Sequence, residues 1–274
     1  MRGIKLIAVM LSLLFLLGCH RPATQELCVT VLDVGQSDCT LIRHGDATLM
    51  IDAGVSAERE ALRGALRSYG IKRVETLVLT HAHDDHYGNA RMLIEEYGVE
   101  MLILSPAKSE DVGYTLVLQA AQKKGIRICY AVAGERFAVG DAVLEVLSVL
   151  VDAKEVNDQG LILRVTYGET AFLFLGDAEA AAEAHLLETV EAARLRAQFL
   201  KVGHHGSETS TSRELLQVVK PLHAAISCGA GNDYGFPHAE LLERLAAIGA
   251  AVGRTDLEGD LRYVSDGNRV TRER

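Results

Sequence analysis

The sequence predicts an α/β protein built as a four-layer αββα sandwich, and three observations lead there. First, apolar runs rich in β-branched residues mark strands near 27–34, 39–43, 47–52, 75–79, 100–104, 126–131, 142–149, 161–167, 170–175, 197–202, 223–228 and 260–264. Second, helical periodicity falls between some of them, near 57–69, 88–97, 113–124, 178–193, 211–219 and 238–248. The order is a strand meander, strand–helix alternation, a second meander, then alternation again. That double cycle describes two similar halves, each a sheet covered by helices. Third, the connections inside 27–52 and 142–175 are too short for crossover helices, which disfavours an ordinary doubly wound sheet.

Four of the six helices carry an end signal. Gly70, Gly98, Gly125 and Gly249 lie just past them, where a left-handed cap residue is needed. The chain has 274 residues, is 49% hydrophobic and contains only 4 prolines, so it can bury a large core and shows no linker. Its formal net charge of −9 argues against a broad nucleic-acid-binding surface, which is usually basic. The Lys/Arg clusters at Arg63–Arg73 and Lys123–Arg127 read as solvated helix faces.

Residues 1–18 read as a targeting segment and are kept out of the fold. Arg2 and Lys5 supply a positive start, and Leu6 to Leu17 is apolar apart from Ser12. Twelve helical residues span about 18 Å, short of the roughly 30 Å hydrocarbon core of a bilayer. The run ends in Leu16-Leu17-Gly18-Cys19, which resembles a bacterial lipobox. On that resemblance Cys19 is the lipidated mature N-terminus, 19–26 is a short tether, and 27–274 is the folded domain. The expected location is extracytoplasmic, anchored to the bacterial membrane by lipid. The other cysteines, Cys28, Cys39, Cys129 and Cys228, sit in or beside apolar strand-like runs and read as small buried hydrophobes. Export permits disulfides among them, and the sequence does not decide the point. No CxxC is present, so a thiolate zinc site is not expected.

The strongest chemical signal is Thr80-His81-Ala82-His83-Asp84-Asp85-His86, directly after the strand Glu75-Thr76-Leu77-Val78-Leu79. Three histidines and an aspartate at a strand end make poor core material, because each would need a polar partner. As metal ligands they make sense: imidazole and carboxylate donors suit zinc, manganese or iron. His81 and His83 can face one ion while Asp85 and His86 face another.

This HxHxDH pattern resembles that of the metallo-β-lactamase superfamily. Asp177, after Leu175-Gly176, resembles its bridging aspartate, and Lys201-Val202-Gly203-His204-His205-Gly206-Ser207 its late histidine ligand. A narrower resemblance is to ComEC-like competence hydrolase domains. Val31-Leu32-Asp33-Val34-Gly35-Gln36-Ser37-Asp38 is similar to their DVGQGD opening, and Ile51-Asp52-Ala53-Gly54 to their IDGG. Asn157-Asp158-Gln159-Gly160-Leu161 resembles NDxS, and 201–207 matches KVGHHGS. Asn232-Asp233-Tyr234-Gly235-Phe236-Pro237-His238 resembles NxYGHPH, and Arg254-Thr255-Asp256 matches RTD. Ser37, Gly160 and Phe236 depart from those patterns, in loops expected to touch substrate.

The resemblance implies a hydrolase with two divalent metal ions, zinc or manganese, that activate a water. The implied ligands are His81, His83, Asp85, His86, Asp177 and one of His204 and His205, with the third ligand of the His81/His83 ion unassigned. Asp85, His204 and His238 are the residues expected to act on the reacting groups. Asp33, Gln36 and Asp38 either buttress the ligand histidines or cap their turn. Asn157, Asp158, Ser207 and Tyr234 complete the expected second layer or substrate contacts. The resemblance favours a phosphodiester substrate such as DNA. The alternatives are a phosphodiesterase on cell-wall or lipid head groups, similar to phosphorylcholine esterases, and a non-catalytic competence-accessory lipoprotein. No protein partner is inferred.

The N-terminal reading has a direct test. Wild-type protein is expected to partition with membranes, and Cys19→Ala to escape lipoprotein processing. Mass spectrometry finding an unmodified mature N-terminus elsewhere would refute the assignment.

Overall fold

The computed structural model describes residues 25–273. The targeting segment, Cys19 and most of the tether lie outside the described residues. Among the described residues no helix is long and apolar enough to cross a membrane.

The first half opens with an antiparallel meander of β1 (Leu27–Val31), β2 (Thr40–His44) and β3 (Ala47–Ile51). It continues through α1 (Arg59–Ser68), β4 (Thr76–Leu79), α2 (Asp84–Tyr87), α3 (Ala90–Glu96), β5 (Met101–Leu104), α4 (Val112–Lys124) and β6 (Arg127–Tyr130). From β3 to β6 the strands are parallel. The second half repeats the scheme. β7 (Arg136–Val139), β8 (Ala142–Val149), β9 (Leu161–Tyr167) and β10 (Thr170–Phe174) are antiparallel. Then come α5 (Ala180–Thr189), α6 (Ala192–Leu195), β11 (Phe199–Lys201), α7 (Arg213–Val219), β12 (His223–Ile226), α8 (Ala239–Ala247) and β13 (Ala251–Arg254), with β10 to β13 parallel. After α9 (Thr255–Glu258) the chain crosses back, and β14 (Leu261–Ser265) and β15 (Val270–Arg272) extend the first sheet beside β1. The sheets are β15-β14-β1-β2-β3-β4-β5-β6 and β13-β12-β11-β10-β9-β8-β7.

Three apolar clusters define four layers. Val29, Ile51, Val78 and Ile103 of the first sheet meet Val146, Leu163 and Phe174 of the second. On the outer face of the first sheet, Leu77, Leu79 and Leu102 pack under Leu62, Leu66, Leu93 and Val117 of the helices. On the outer face of the second, Leu173, Leu200 and Ile226 meet Leu186, Leu215, Leu241 and Leu245. The period-2 alternation of strand side chains feeds both faces at once. Within β4, Val78 points inward while Leu77 and Leu79 point out; within β10, Phe174 points inward and Leu173 out. The αββα architecture expected above is thus the observed one.

The strands not anticipated, β7, β13 and β15, are all sheet edges. An edge strand buries few side chains, so its apolar pattern is faint; in β7 only Val139 is buried. The expected helix over 178–193 divides at Val190, whose backbone is extended. All four cysteines are free; Cys39 and Cys228 are buried, whereas Cys28 and Cys129 are only half-buried. The four glycines after helices all have positive φ, between 62° and 72°.

Phe199 tests how the layers cohere. Its ring is fully buried and lies 5.4 Å from Phe172, 5.8 Å from Phe174 and 4.7 Å from Tyr263, which comes from the opposite sheet. Phe199→Ala is expected to lower unfolding stability by about 3–5 kcal/mol in chemical denaturation. A loss below about 1 kcal/mol would mean the inter-sheet core does not depend on this ring.

Candidate metal centre

The chemistry-bearing residues follow the C-terminal ends of parallel strands, the usual location for ligands in α/β sheets. His81 and His83 follow β4, Asp85 and His86 ride on α2, Asp177 follows β10, and His204 and His205 form a tight turn after β11. Two half-sites, one from each sheet, therefore meet at the seam of the sandwich.

Asp177 sits at the middle. Its Oδ2 lies 3.2 Å from His86 Nε2, 3.6 Å from His205 Nε2, and 4.0 Å from both His81 Nε2 and His204 Nε2. Asp85 Oδ2 closes one side, 3.1 Å from His205 Nε2 and 3.8 Å from His86 Nε2. Donor atoms of Asp85, His86, Asp177 and His205 all fall within 4.8 Å of one another. On the other side His81 Nε2 and His83 Nδ1 converge to 3.0 Å. Gly176 lets this happen: its φ is +55°, and a Cβ there would come 3.3 Å from Thr80. Asp52, His204 and His205 also hold positive φ, of 61°, 46° and 51°. Such strain in non-glycine residues clusters where the surrounding structure imposes a conformation.

Five site residues expected from sequence find partners that explain them. His205, rather than His204, joins the donor cluster, and its Nδ1 faces Ser227 O at 3.0 Å and Asp38 Oδ1 at 3.3 Å. Asp38 is thus a buttress, and it pairs with buried Lys201 at 2.9 Å and accepts from the Ser227 hydroxyl. Gln36 lines the cleft and accepts from Gly229 N at 2.9 Å, tying two loops together. His204 instead faces Glu179, with Nδ1 2.9 Å from Oε1, off the line of a hydrogen bond but close enough for an ion pair. Asn157 Nδ2 donates to the same Glu179 oxygen at 3.1 Å and lines the cleft.

Others stand apart from the cluster. Asp33 is exposed and its carboxylate caps Gly35, so of the two roles open to it the turn cap is the one its position serves. Asp158 is buried but accepts from Glu179 N and Ala182 N, capping α5 rather than facing the donors. Ser207 bonds to Thr209 at 2.9 Å. His238 starts α8 with Nδ1 accepting from Glu208 N at 3.0 Å and Nε2 3.3 Å from Tyr234 O. It does not line the cleft; its ring lies 5.0 Å from Phe236, which itself contacts His204. Tyr234 is at the cleft mouth.

Three supporting residues were not singled out from the sequence. Asp52 accepts from Thr80 N at 2.8 Å, from the Thr80 hydroxyl, and faces His86 Nδ1 at 2.9 Å, so it orients that ring. The IDAG phrase was its visible signal. Lys201 was visible in the KVGHHGS phrase. Glu179 had only its place two residues after Asp177.

The donors fit a divalent cation. His86 Nε2 and Asp177 Oδ1 are buried and lack any hydrogen-bond partner, an arrangement that is costly unless something else satisfies them. The electrostatics point the same way. Burial opposes charge on His86, but Asp177 and Asp52 outweigh it and hold the imidazole well above its ordinary value. Burial likewise lowers His205, but Asp177 and Asp38 raise it to about 10. Burial would raise Asp177, but His86 and His205 draw it well below the carboxylate range. The pocket therefore favours positive charge at the ligand nitrogens. His81 is the exception: burial and the neighbouring His86 hold it well below the usual value, leaving it neutral and ready to donate. An open cleft of about 640 Å³ exposes His83, Asp85, Asp177, His204 and His205.

The comparisons with known proteins agree with this geometry. A family model, described as the metallo-beta-lactamase superfamily, matches residues 32–230. The chain belongs to this superfamily. It is 30% identical over 271 residues to ComE operon protein 3 of Bacillus subtilis (strain 168), covering 92% of this chain and 35% of that protein. It is 32% identical over 241 residues to Competence protein ComA of Neisseria gonorrhoeae, covering 87% and 32%. The chain thus spans about a third of the length of the curated relatives it matches. The metallo-beta-lactamase fold protein YhfI from Bacillus subtilis superposes with a TM-score of 0.60 at 12% identity, covering 88% of this chain and all of that one, and supports the fold alone. The protein is thus a metallo-beta-lactamase-superfamily member with competence-protein relatives.

Proton competition gives a test of the ligand set. Because His205 is held at about 10, a metal binding there at pH 7 displaces a proton. Apparent zinc affinity should therefore rise with pH between 6 and 9, by about tenfold per unit for each proton displaced. Asp177→Asn should weaken binding at every pH and flatten the slope, since Asp177 is the largest influence raising His205. Metal titration by calorimetry reads both; a pH-independent affinity, or full metal content in Asp177→Asn, would refute the assignment.

Proposed function

We propose that this protein is a phosphodiesterase, lipid-anchored on the extracytoplasmic side of the bacterial membrane, that uses two divalent ions, zinc or manganese, and acts on nucleic-acid phosphodiesters. The observation that carries the metal reading is the pair of orphaned buried atoms, His86 Nε2 and Asp177 Oδ1, at the centre of converging donors. His81, His83 and Asp177 would hold one ion; Asp85, His86, Asp177 and His205 the other. When bound, such ions supply an activated water and polarise the scissile bond.

The protein's own groups do the remainder. Asp52 and Thr80 fix His86, while Asp38, held charged by Lys201, fixes His205. Such outer partners set ring orientation and ligand basicity. His204, partly exposed in the cleft with Glu179 behind it, is placed to give a proton to a leaving group. That role falls to it more readily than to His238, whose ring nitrogens face backbone groups. The competence relatives favour a nucleic-acid phosphodiester, and the lipobox-like segment favours the external location.

One observation favours a second reading, a phosphodiester with a cationic head group of cell-wall or lipid origin. The described residues lining the cleft include Glu58 and Asp84 but no Lys or Arg.

Purified protein loaded with zinc or manganese separates these readings. Expected is hydrolysis of bis-p-nitrophenyl phosphate and of a single-stranded oligonucleotide, lost in His204→Ala by about a hundredfold or more, in the range usual for general acids. Hydrolysis confined to p-nitrophenylphosphorylcholine would transfer the function to head groups. Metal-loaded protein inert towards all three would remove the phosphodiesterase reading.

A further inference from the structure

The cleft has a second feature that the metal chemistry does not use. Three rings lie nearly parallel between the metal centre and solvent. His205 and Phe236 have centroids 6.4 Å apart with planes 22° from parallel, and Phe236 and Tyr234 are 5.4 Å apart at 14°. Phe236 is half-buried, while Tyr234, at the end of the series, is 68% exposed. The ring therefore offers an open aromatic face at the mouth of a polar site.

The loop that carries these rings is held rigid. Asn232 Oδ1 accepts from Tyr234 N at 3.2 Å and from Phe236 N at 3.0 Å, while its Nδ2 donates to Gly229 O at 2.9 Å and Phe236 O at 2.8 Å. Close contact between Gly206 and Pro237 locks the loop to the His204–His205 turn; a Cβ on Gly206 would come 2.6 Å from Pro237. The exposed ring is therefore positioned relative to the donors rather than free to collapse onto the surface.

The electrostatics of the cleft sharpen the point. Proteins that hold nucleic acid usually grip the phosphates with Lys and Arg, which makes binding steeply salt-dependent. Among the described residues lining this cleft none is Lys or Arg. Lys108 lines the adjoining pocket that shares His83, but within this cleft the hold on a substrate beyond the scissile group rests on contacts other than Lys or Arg pairing. Parallel rings ending in one exposed face suit a flat partner, because stacking continues from face to face. A quaternary ammonium is instead held best inside a cage of several aromatic walls, and here the two rings cover each other instead of enclosing a space.

We propose that Tyr234, backed by Phe236, is a stacking platform for a base flanking the scissile phosphodiester of a single-stranded substrate. On this view stacking, not phosphate contact, supplies the cleft's grip. The proposal rests on the phosphodiesterase reading above and names its substrate class.

The test compares a short oligothymidylate with an analogue of the same length and charge that lacks one base beside the cleaved linkage. In wild-type protein kcat/KM for the full oligonucleotide is expected to exceed that for the abasic analogue by about tenfold or more, the size of one base–aromatic stack. In Tyr234→Ala the ratio should collapse towards one, and Tyr234→Phe should restore it. The dependence of KM on salt should be shallow in all three. A ratio near one in wild type, or unchanged in Tyr234→Ala, overturns the proposal while leaving phosphodiesterase activity intact. Loss of hydrolysis towards every phosphodiester is the separate failure of the parent reading. Saturation-transfer NMR then decides the platform: saturation of the thymine protons in wild type but not in Tyr234→Ala supports it, and equal or absent saturation overturns it. Selective saturation of choline methyl protons in phosphorylcholine, with none on thymine, assigns the ring to head groups and also overturns it.

Discussion

Everything at the seam of this molecule answers to one electrostatic constraint. Asp38, Asp52 and Asp177 are buried together with half-buried Asp85 where the strand ends of two sheets meet. Carboxylates cannot share a low-dielectric pocket without compensating positive charge or strong donors. The fold supplies three kinds of compensation. Lys201, fully inside the protein, neutralises Asp38; Thr80 donates its amide and hydroxyl to Asp52; and the imidazoles of His86 and His205 lean on Asp177. Asp177 Oδ1 and His86 Nε2 still lack a hydrogen-bond partner, and they lie among the converging donors where a cation fits.

This arrangement explains why the framework is so rigid around the donors. Backbone bonds from Asp38 N to Asp85 O, Ala53 N to His86 O and Gly54 N to Asp38 O stitch the first two loops to the helix that carries Asp85 and His86. His204 N bonds to Gly176 O, linking the two loops of the second sheet. Gly88 allows the close approach that this stitching needs, since a Cβ there would sit 2.4 Å from Ser56 N. Preorganised donors lose little freedom when a charged partner arrives, which is how protein sites convert geometry into affinity and catalysis. Orientation reaches outward as well: Phe236 touches His204 and His205, so the substrate-facing loop is built directly on the ligand turn.

The cleft's character follows from the same constraint. Its floor draws positive charge, and its lining adds further carboxylates without Lys or Arg. A polyanion is therefore recruited by what binds the floor and by contacts that carry no charge. Tyr234 and Phe236 are the apolar surface available for that purpose on the wall next to His204 and His205. Phe236 places a purely apolar ring in the loop that touches His204 and His205.

Much of this was legible in the sequence because it is local. The HxHxDH run, Asp177 after an apolar strand and the double histidine after another are short patterns whose chemistry admits few other uses, and the interior strands announce themselves by continuous apolar runs, because both their faces are buried. The edge strands β7, β13 and β15 were silent because they bury too little to leave a pattern, whereas the edge strand β6 showed in its apolar run. The choice between His204 and His205 was equally silent: adjacent residues differ only in which way a strained left-handed turn aims each ring, and that is set by Ser227, Asp38 and Glu179, 20 or more residues away in the chain. Asp33 and Asp158 looked like site residues because they lie in the right phrases, yet their carboxylates are taken by nearby backbone amides. The sequence by itself thus determined the kinds of donor and the strands that present them. Tertiary structure decided which donors converge and which merely cap, because convergence depends on two sheets meeting at their carboxyl ends, and no local pattern encodes a distance across that seam.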